Sequence, residues 1–223
     1  MNKQIPNPFI YATDIVCGVD YSIRTPCLTL IRPTDLNNTV VPFDQCEFFY
    51  MTYLKKDVID HKNIHGTLIG DWESPEDRYE TIADWAISIL NKWECKTVGL
   101  EDYAYNAANR SALTQLAENA GLLKYKMHLA AIDYSLYAPS SIKKFATGNG
   151  RSMKHQMYDA WLDDTKICLQ SIFGRDPDGK IKSPVSDIVD SYYIALSHRV
   201  DMCHTNYQYH EENNDRRHKA DHT

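Results

Sequence analysis

The sequence predicts an α/β domain built around a sheet. Three observations predict it: apolar runs of strand length near the start, long segments with three- and four-residue apolar periodicity further on, and a short apolar strand lodged between two of those segments. The elements follow in order. Between Asp14 and Arg32, two apolar runs broken by polar residues predict a strand at Ile15 to Asp20, a turn, and a second strand at Thr25 to Ile31. A third strand is expected within Cys46 to Tyr53, while Leu54 to Gly70 carries no decisive pattern.

The next element is the clearest. Ser74-Pro75-Glu76-Asp77 is a helix start, with Ser as N-cap, Pro at the first helical position and acids at the positive end of the dipole. Tyr79, Ile82, Ala83, Ala86, Ile89, Leu90 and Trp93 then give that helix one apolar face. Thr97-Val98-Gly99-Leu100 follows as a short strand ending at Glu101. Ser111 to about Ala130 reads as a helix that Gly121 ends or interrupts, and Tyr134 to Tyr137 as a short strand. Thr147 to Gly150 is a loop opening a helix from Arg151 to about Leu169. Phe173 to Pro184 is rich in turn residues and expected to be exposed. A last helix spans about Ser186 to Val200. Residues 201–223 are polar and His-rich without periodicity, so the expectation is a domain over 1–200 and a flexible polar tail over 201–223.

Bulk properties narrow the function. Of 223 residues, 43% are hydrophobic and 24% charged, ordinary values for a soluble globular protein. No apolar run approaches the ~18 residues of a membrane span, and Met1 to Phe9 lacks the apolar core of a secretory signal. The six cysteines form no C-x-x-C pair, which points to reduced thiols in a cytoplasmic protein rather than zinc or disulfides. A net charge of −6 argues at face value against a nucleic-acid partner. The charges are segregated, however: Lys143 to Tyr158 contains no acid and carries Lys143, Lys144, Arg151 and Lys154. Local field, not total charge, steers a polyanion.

Four acids stand where chemistry is placed in an α/β sheet. Asp20 closes the first strand and Glu101 a later one; Asp187 and Asp190 share one face of the last helix at i, i+3 spacing. Each alone has a plainer explanation: a turn start, an exposed strand end, a helix-dipole partner. Together they form an oxygen donor set for hard divalent cations, the arrangement two-metal phosphoryl chemistry needs.

These segments resemble RuvC-like Holliday junction resolvases, with a divergence that suits a viral or phage-type member. Ile15 to Leu30 resembles the family's opening strand pair with Asp20 in the first catalytic position, and Val98 to Tyr103 its strand with the second acid. Ala138-Pro139-Ser140-Ser141-Ile142-Lys143-Lys144 with Thr147-Gly148-Asn149-Gly150-Arg151-Ser152-Met153-Lys154 is similar to its lysine and glycine signature. Ser186-Asp187-Ile188-Val189-Asp190-Ser191 resembles its closing helix, with Ser191 in place of the usual Ala.

The resemblance implies an RNase H-like mixed sheet of about five strands with helices on both faces. It implies a homodimeric endonuclease that nicks four-way DNA junctions with two Mg²⁺ per site, Mn²⁺ substituting. It makes Asp20 the ligand bridging both ions, with Glu101, Asp187 and Asp190 completing their shells and Lys154 stabilising the pentacovalent phosphate. Lys143, Lys144, Gly148, Asn149, Gly150 and Arg151 join Lys154 in contacting DNA. Tyr103 and Tyr105 flank Ala104, where the family carries a junction-opening wedge. The dimer surface is expected on the helix carrying Leu122, Leu123, Tyr125, Met127 and Leu129; no helicase partner can be named. A less selective nuclease acting on flaps, forks or RNA–DNA hybrids is the alternative, ahead of a junction-binding module without chemistry. An ATP-binding relative would need Gly-rich phosphate loops that the early strands lack. The expected location is cytoplasmic, the host cytoplasm for a viral member.

Overall fold

In the computed structural model, residues 15–33, 40–102 and 110–220 are described. Seven strands form one mixed sheet: β1 (Val16–Asp20), β2 (Cys27–Ile31), β3 (Cys46–Thr52), β4 (Asp60–His61), β5 (Ile64–Leu68), β6 (Thr97–Glu101) and β7 (Asp133–Tyr137). Their order across the sheet is β4-β5-β3-β2-β1-β6-β7. β1, β2 and β3 form an antiparallel meander, whereas β6 lies parallel to β1 and β7 parallel to β6. Two strands beyond the expected five come from the patternless stretch: β4 and β5 are short and largely exposed beyond Ile64. Half-exposed strands of two and five residues give no sustained alternation to read.

The helices are α1 (Pro75–Lys92), α2 (Arg110–Leu129), α3 (Pro139–Thr147), α4 (Lys154–Thr165), α5 (Leu169–Ile172) and α6 (Val185–Ala220). They cover both faces. Cys17, Val19, Leu28, Leu30, Val98 and Leu100 point to the face packed by α1 and α2. Cys27, Ile31, Phe48, Tyr50 and Ile64 point to the opposite face, under α4 and α6. Strand alternation produces this division, since successive side chains leave opposite sides of a sheet. At the start of α1, Ser74 Oγ accepts the Asp77 amide at 3.1 Å, the cap its sequence announced.

Other expectations change. α2 runs unbroken through Gly121, where a Cβ would meet nothing within 4 Å; an exposed helical glycine costs only about 1 kcal/mol against Ala. Leu123 and Met127 on α2 are fully buried in the domain's own core, so only Tyr125 and Leu129 remain strongly exposed for a partner. α3 was unforeseen, and α4 starts at Lys154 rather than Arg151. The 173–184 segment lies mostly at the surface, as its turn residues predict, and is fastened there by contacts described below. α6 continues to Ala220 instead of ending near Val200, in keeping with the lack of any Gly or Pro between those residues to stop it. No helix among the described residues is long and apolar enough to cross a membrane. Among the described residues five cysteines are unpaired thiols, four of them buried.

Candidate active site

The site forms where α6 crosses the C-terminal ends of β1 and β6. Gly18 pairs with Gly99 and Val19 with Leu100, so one further step in the same register sets Asp20 beside Glu101. Alternation puts each glycine on the same face as the acid two residues later. A Cβ on Gly18 would stand 2.2 Å from the Ala195 amide nitrogen and 2.3 Å from the Ser191 carbonyl oxygen. On Gly99 it would stand 2.8 Å from the His198 Cβ. Over β1 the helix backbone therefore rests on the strand with no side chain in between, while over β6 the glycine makes room for the His198 side chain. That closeness brings the stripe Asp187, Asp190, Ser191, Ala195 and His198 over β1 and β6, with the acids at the Asp20 and Glu101 end.

The four carboxylates share one electrostatic environment. Burial, then repulsion from Glu101, Asp187 and Asp190, holds the Asp20 carboxyl well above the usual range, with Lys154 opposing. Burial first and Asp190 next push Glu101 up to about 7, against Lys143 and Lys154. Asp190 rises to about 6 through burial and Asp187. The two lysines are the cations that temper the group. Lys154 Nζ donates to Ser186 Oγ at 3.0 Å, and Ser186 Oγ donates to Asp187 Oδ1 at 2.8 Å. Asp187 Oδ2 is buried without a hydrogen-bond partner.

An all-oxygen donor set, crowded negative charge and an orphaned buried carboxylate oxygen fit a hard divalent cation. Among the described residues no three acidic, His or Cys side chains are already closed around one cation position. Ionised carboxylates repel one another, and a cation is what draws such a set together.

The fold thus brings together Asp20, Glu101, Asp187, Asp190, Lys143 and Lys154. Lys144 is exposed on the last turn of α3, apart from the acids' electrostatic partners. Gly148 is the left-handed cap of α3 (φ 77°), and Gly150 passes the Ser140 carbonyl oxygen, which a Cβ would approach to 2.9 Å. Both glycines thus have a purely local reason to exist. Asn149 Oδ1 accepts the Arg151 amide at 3.0 Å in the same exposed turn. Tyr103 and Tyr105 lie outside the described residues.

Sequence reasoning missed Ser186, Gly18 and Gly99. A readable signal existed for the glycines: Gly18-Val19-Asp20 and Gly99-Leu100-Glu101 repeat a glycine two residues before the acid. Ser191, where the family pattern has Ala, bonds to Thr29 Oγ1 at 2.7 Å and to the Ile188 carbonyl at 3.0 Å, so its buried hydroxyl is satisfied.

A mixed sheet in this order, with helices on both faces and acids at the ends of β1 and β6 beneath a crossing helix, is an RNase H-like fold. Within that class, the middle of the chain is similar to RuvC. Residues 57–162 match the family model described as Crossover junction endodeoxyribonuclease RuvC. That segment carries Glu101, Lys143 and Lys154; Asp20, Asp187 and Asp190 lie beyond it and reach the site through the fold. The RuvC crossover junction endodeoxyribonuclease of Helicobacter pylori (strain G27) is 33% identical over 110 residues, covering 49% of this chain and 62% of that protein. The chain thus spans less than two thirds of that relative's length. In fold it is similar to Thermus thermophilus RuvC in complex with Holliday junction substrate (TM-score 0.55, 14% identity, 83% of this chain and 92% of that one). It is likewise similar to the yeast mitochondrial Holliday junction resolvase Ydc2 (TM-score 0.52, 16% identity, 90% and 86%).

Proposed function

We propose that the protein is a metal-dependent DNA endonuclease that resolves four-way junctions by paired nicks. The observation that carries this reading is the meeting of four carboxylates from β1, β6 and α6 with Lys143 and Lys154, in a RuvC-like chain. Asp20, Glu101, Asp187 and Asp190 would hold two Mg²⁺, with Mn²⁺ as substitute. Bound there, the ions supply an activated water and charge neutralisation at the leaving oxygen.

The protein's own groups do the rest. Lys154, held by Ser186, presents a cation where negative charge builds on the scissile phosphate. Lys143 lowers the cost of burying Glu101. Lys144, Asn149 and Arg151 lie exposed on the approach and contact the flanking backbone, with Gly148 and Gly150 keeping that turn free of side chains. Paired nicks on a two-fold junction need two sites in fixed relation, so the working unit is a C₂ homodimer. Exposed Tyr125, Leu129, Tyr134 and Leu136 on α2 and β7 supply an apolar surface for it.

The test is a cleavage panel of four-way junction, fork, flap, linear duplex and RNA–DNA hybrid, each with Mg²⁺, Mn²⁺ and EDTA. Metal-dependent symmetric nicks confined to the junction are expected. Preference for hybrid or flap would replace resolution with a less selective nuclease; cutting in EDTA would remove the metal from the mechanism.

A further inference from the structure

We propose that the 173–184 segment and the 3₁₀ turn at Lys55–Asp57 form a second phosphate-binding track, for the DNA strand on the side of the active site opposite α3. The inference rests on the nuclease reading and adds to it a substrate contact outside the catalytic group.

The track begins with topology. β3 runs in the same direction as β1, because both are antiparallel to β2. The turn at Lys55–Asp57 therefore leaves the sheet at the same end as Asp20, two strands away. Strands are spaced ~4.8 Å apart, so the offset is about 10 Å. The 173–184 segment reaches the same edge: Thr25 Oγ1, just before β2, donates to Ser183 Oγ at 3.3 Å, and Asp187 follows four residues later. Across the sheet, α3 follows β7 on the far side of β6. The acids are thus central, with one basic segment on each flank.

The second flank is built rather than incidental. A cleft of about 450 Å³ lies between the two segments, and Lys56, Lys180 and Lys182 line it. Its frame is fixed by Arg175, which pairs with Asp57 at 3.0 Å and donates to the carbonyls of Lys182 and Ser183 at 3.2 and 2.9 Å. The buried Gln170 donates to the carbonyls of Asp176 and Gly179 at 2.8 and 3.0 Å, closing the loop from beneath. The guanidinium thus neutralises the buried Asp57, and Asp176 at the loop tip accepts the Asp178 amide. Lys56, Lys180 and Lys182 are exposed and form no ion pair among the described residues. Three unpaired ammonium groups, two on the fastened loop and one on the turn facing it, are pre-organised for a polyanion, since little ordering entropy remains to be lost. With a rise of ~3.4 Å per nucleotide, an offset of about 10 Å places the contacted phosphates roughly three nucleotides from the cut.

The experiment uses the full chain carrying Asp190→Asn, which removes cutting during the measurement. Its affinity for a four-way junction is followed across a salt titration, with and without Lys56→Gln, Lys180→Gln and Lys182→Gln together. Each phosphate that is no longer neutralised flattens the log–log salt slope by about 0.9, so a decrease of about 2 to 3 is expected. Junctions with a single neutral methylphosphonate, moved along the strand, should lose affinity about three nucleotides to one side of the nick in the parent and not in the triple variant. An unchanged slope, the outcome expected if an acidic protein docks there instead, overturns the track while leaving the nuclease reading in place. A flatter slope without a position-specific loss reduces the lysines to diffuse charge and also overturns it. If the parent neither binds nor cuts branched DNA, both fail together.

Discussion

One helix buries ionisable groups at both ends of its contact with the sheet, and the two ends treat them oppositely. Where α6 begins, Asp187 and Asp190 join Asp20 and Glu101 in a crowd of like charge, with one carboxylate oxygen unpaired. Where α6 passes Gly99, His198 is fully partnered: Thr97 Oγ1 stands 2.7 Å from Nε2 and the Tyr137 hydroxyl 3.1 Å from Nδ1. Asp201 is in turn a hydrogen-bond partner of Tyr137. If the tyrosine proton goes to that carboxylate, His198 donates from Nδ1 and accepts from Thr97 at Nε2, which satisfies every group. The same helix on the same strands thus carries a frustrated cluster and a satisfied one. The difference teaches where function lies, because an unsatisfied buried group destabilises the fold unless something else compensates it.

The sharpest way to break the comparison is to neutralise the acidic end. Asp20→Asn or Asp190→Asn should lower junction cleavage at least 100-fold, about 3 kcal/mol of activation free energy, while junction binding survives. Single-turnover nicking and an equilibrium binding assay separate the two. The same Asp190→Asn change should raise the melting temperature in EDTA at pH 7.5. Full activity of either variant would sink the assignment.

The second test removes the closeness on which both ends depend. Gly18→Ala forces a Cβ into the backbone of α6 and should cost about 2 to 4 kcal/mol in denaturant unfolding. Gly99→Ala meets a side-chain carbon and should cost less. Equal, negligible effects would mean that the helix does not rest on the strands.

The third uses pH, and the two ends predict opposite slopes. Burial lowers the His198 pKa to about 4. The unfolded chain therefore takes up a proton first, and this contribution, complete above pH ~6.5, is lost as pH falls toward 4. Glu101 and Asp190 are raised, to about 7 and about 6, so in EDTA their contribution is present at low pH and lost as pH rises from about 4 to 7. His198→Phe should remove about 1 to 3 kcal/mol of the acid-side loss, and Asp190→Asn should flatten the opposing slope. Chemical unfolding at pH 4.5, 5.5, 6.5 and 7.5 decides. Parallel pH profiles for parent and His198→Phe would show that the histidine does not titrate as argued.

The smallest effect is expected at Ser186. Ser186→Ala releases Lys154 from its anchor and leaves Asp187 Oδ1 without a donor, so nicking should drop about 5- to 10-fold, roughly 1 kcal/mol. Restoration by Ser186→Thr would identify the hydroxyl as the cause; loss of junction binding in place of rate would contradict a positioning role.

Much of the fold and site is legible in the sequence, for stated reasons. The capped start of α1, β1, β2, β6 and the four acids announce themselves because each is local: a cap, a short apolar run, an acid at a strand end. β4 and β5 stay hidden because they are short and exposed. Ser186 and the fastening of Arg175 onto Asp57 depend on contacts across 32 and 118 positions of chain, which no window can hold. The glycines fall between these cases. Their spacing before each acid is visible, but its meaning appears only when a helix lies on them.

That resting contact has a consequence for how such a chain can change. Where large side chains separate a helix from a sheet, every core replacement alters the gap and carries any attached chemistry with it. Here the gap over β1 is set by main chain touching main chain. Valines, leucines and tyrosines elsewhere can be exchanged and repacked while the acids keep their mutual spacing. The two positions without a side chain act as a fixed stop, and through them the architecture gains freedom to drift in almost every other residue.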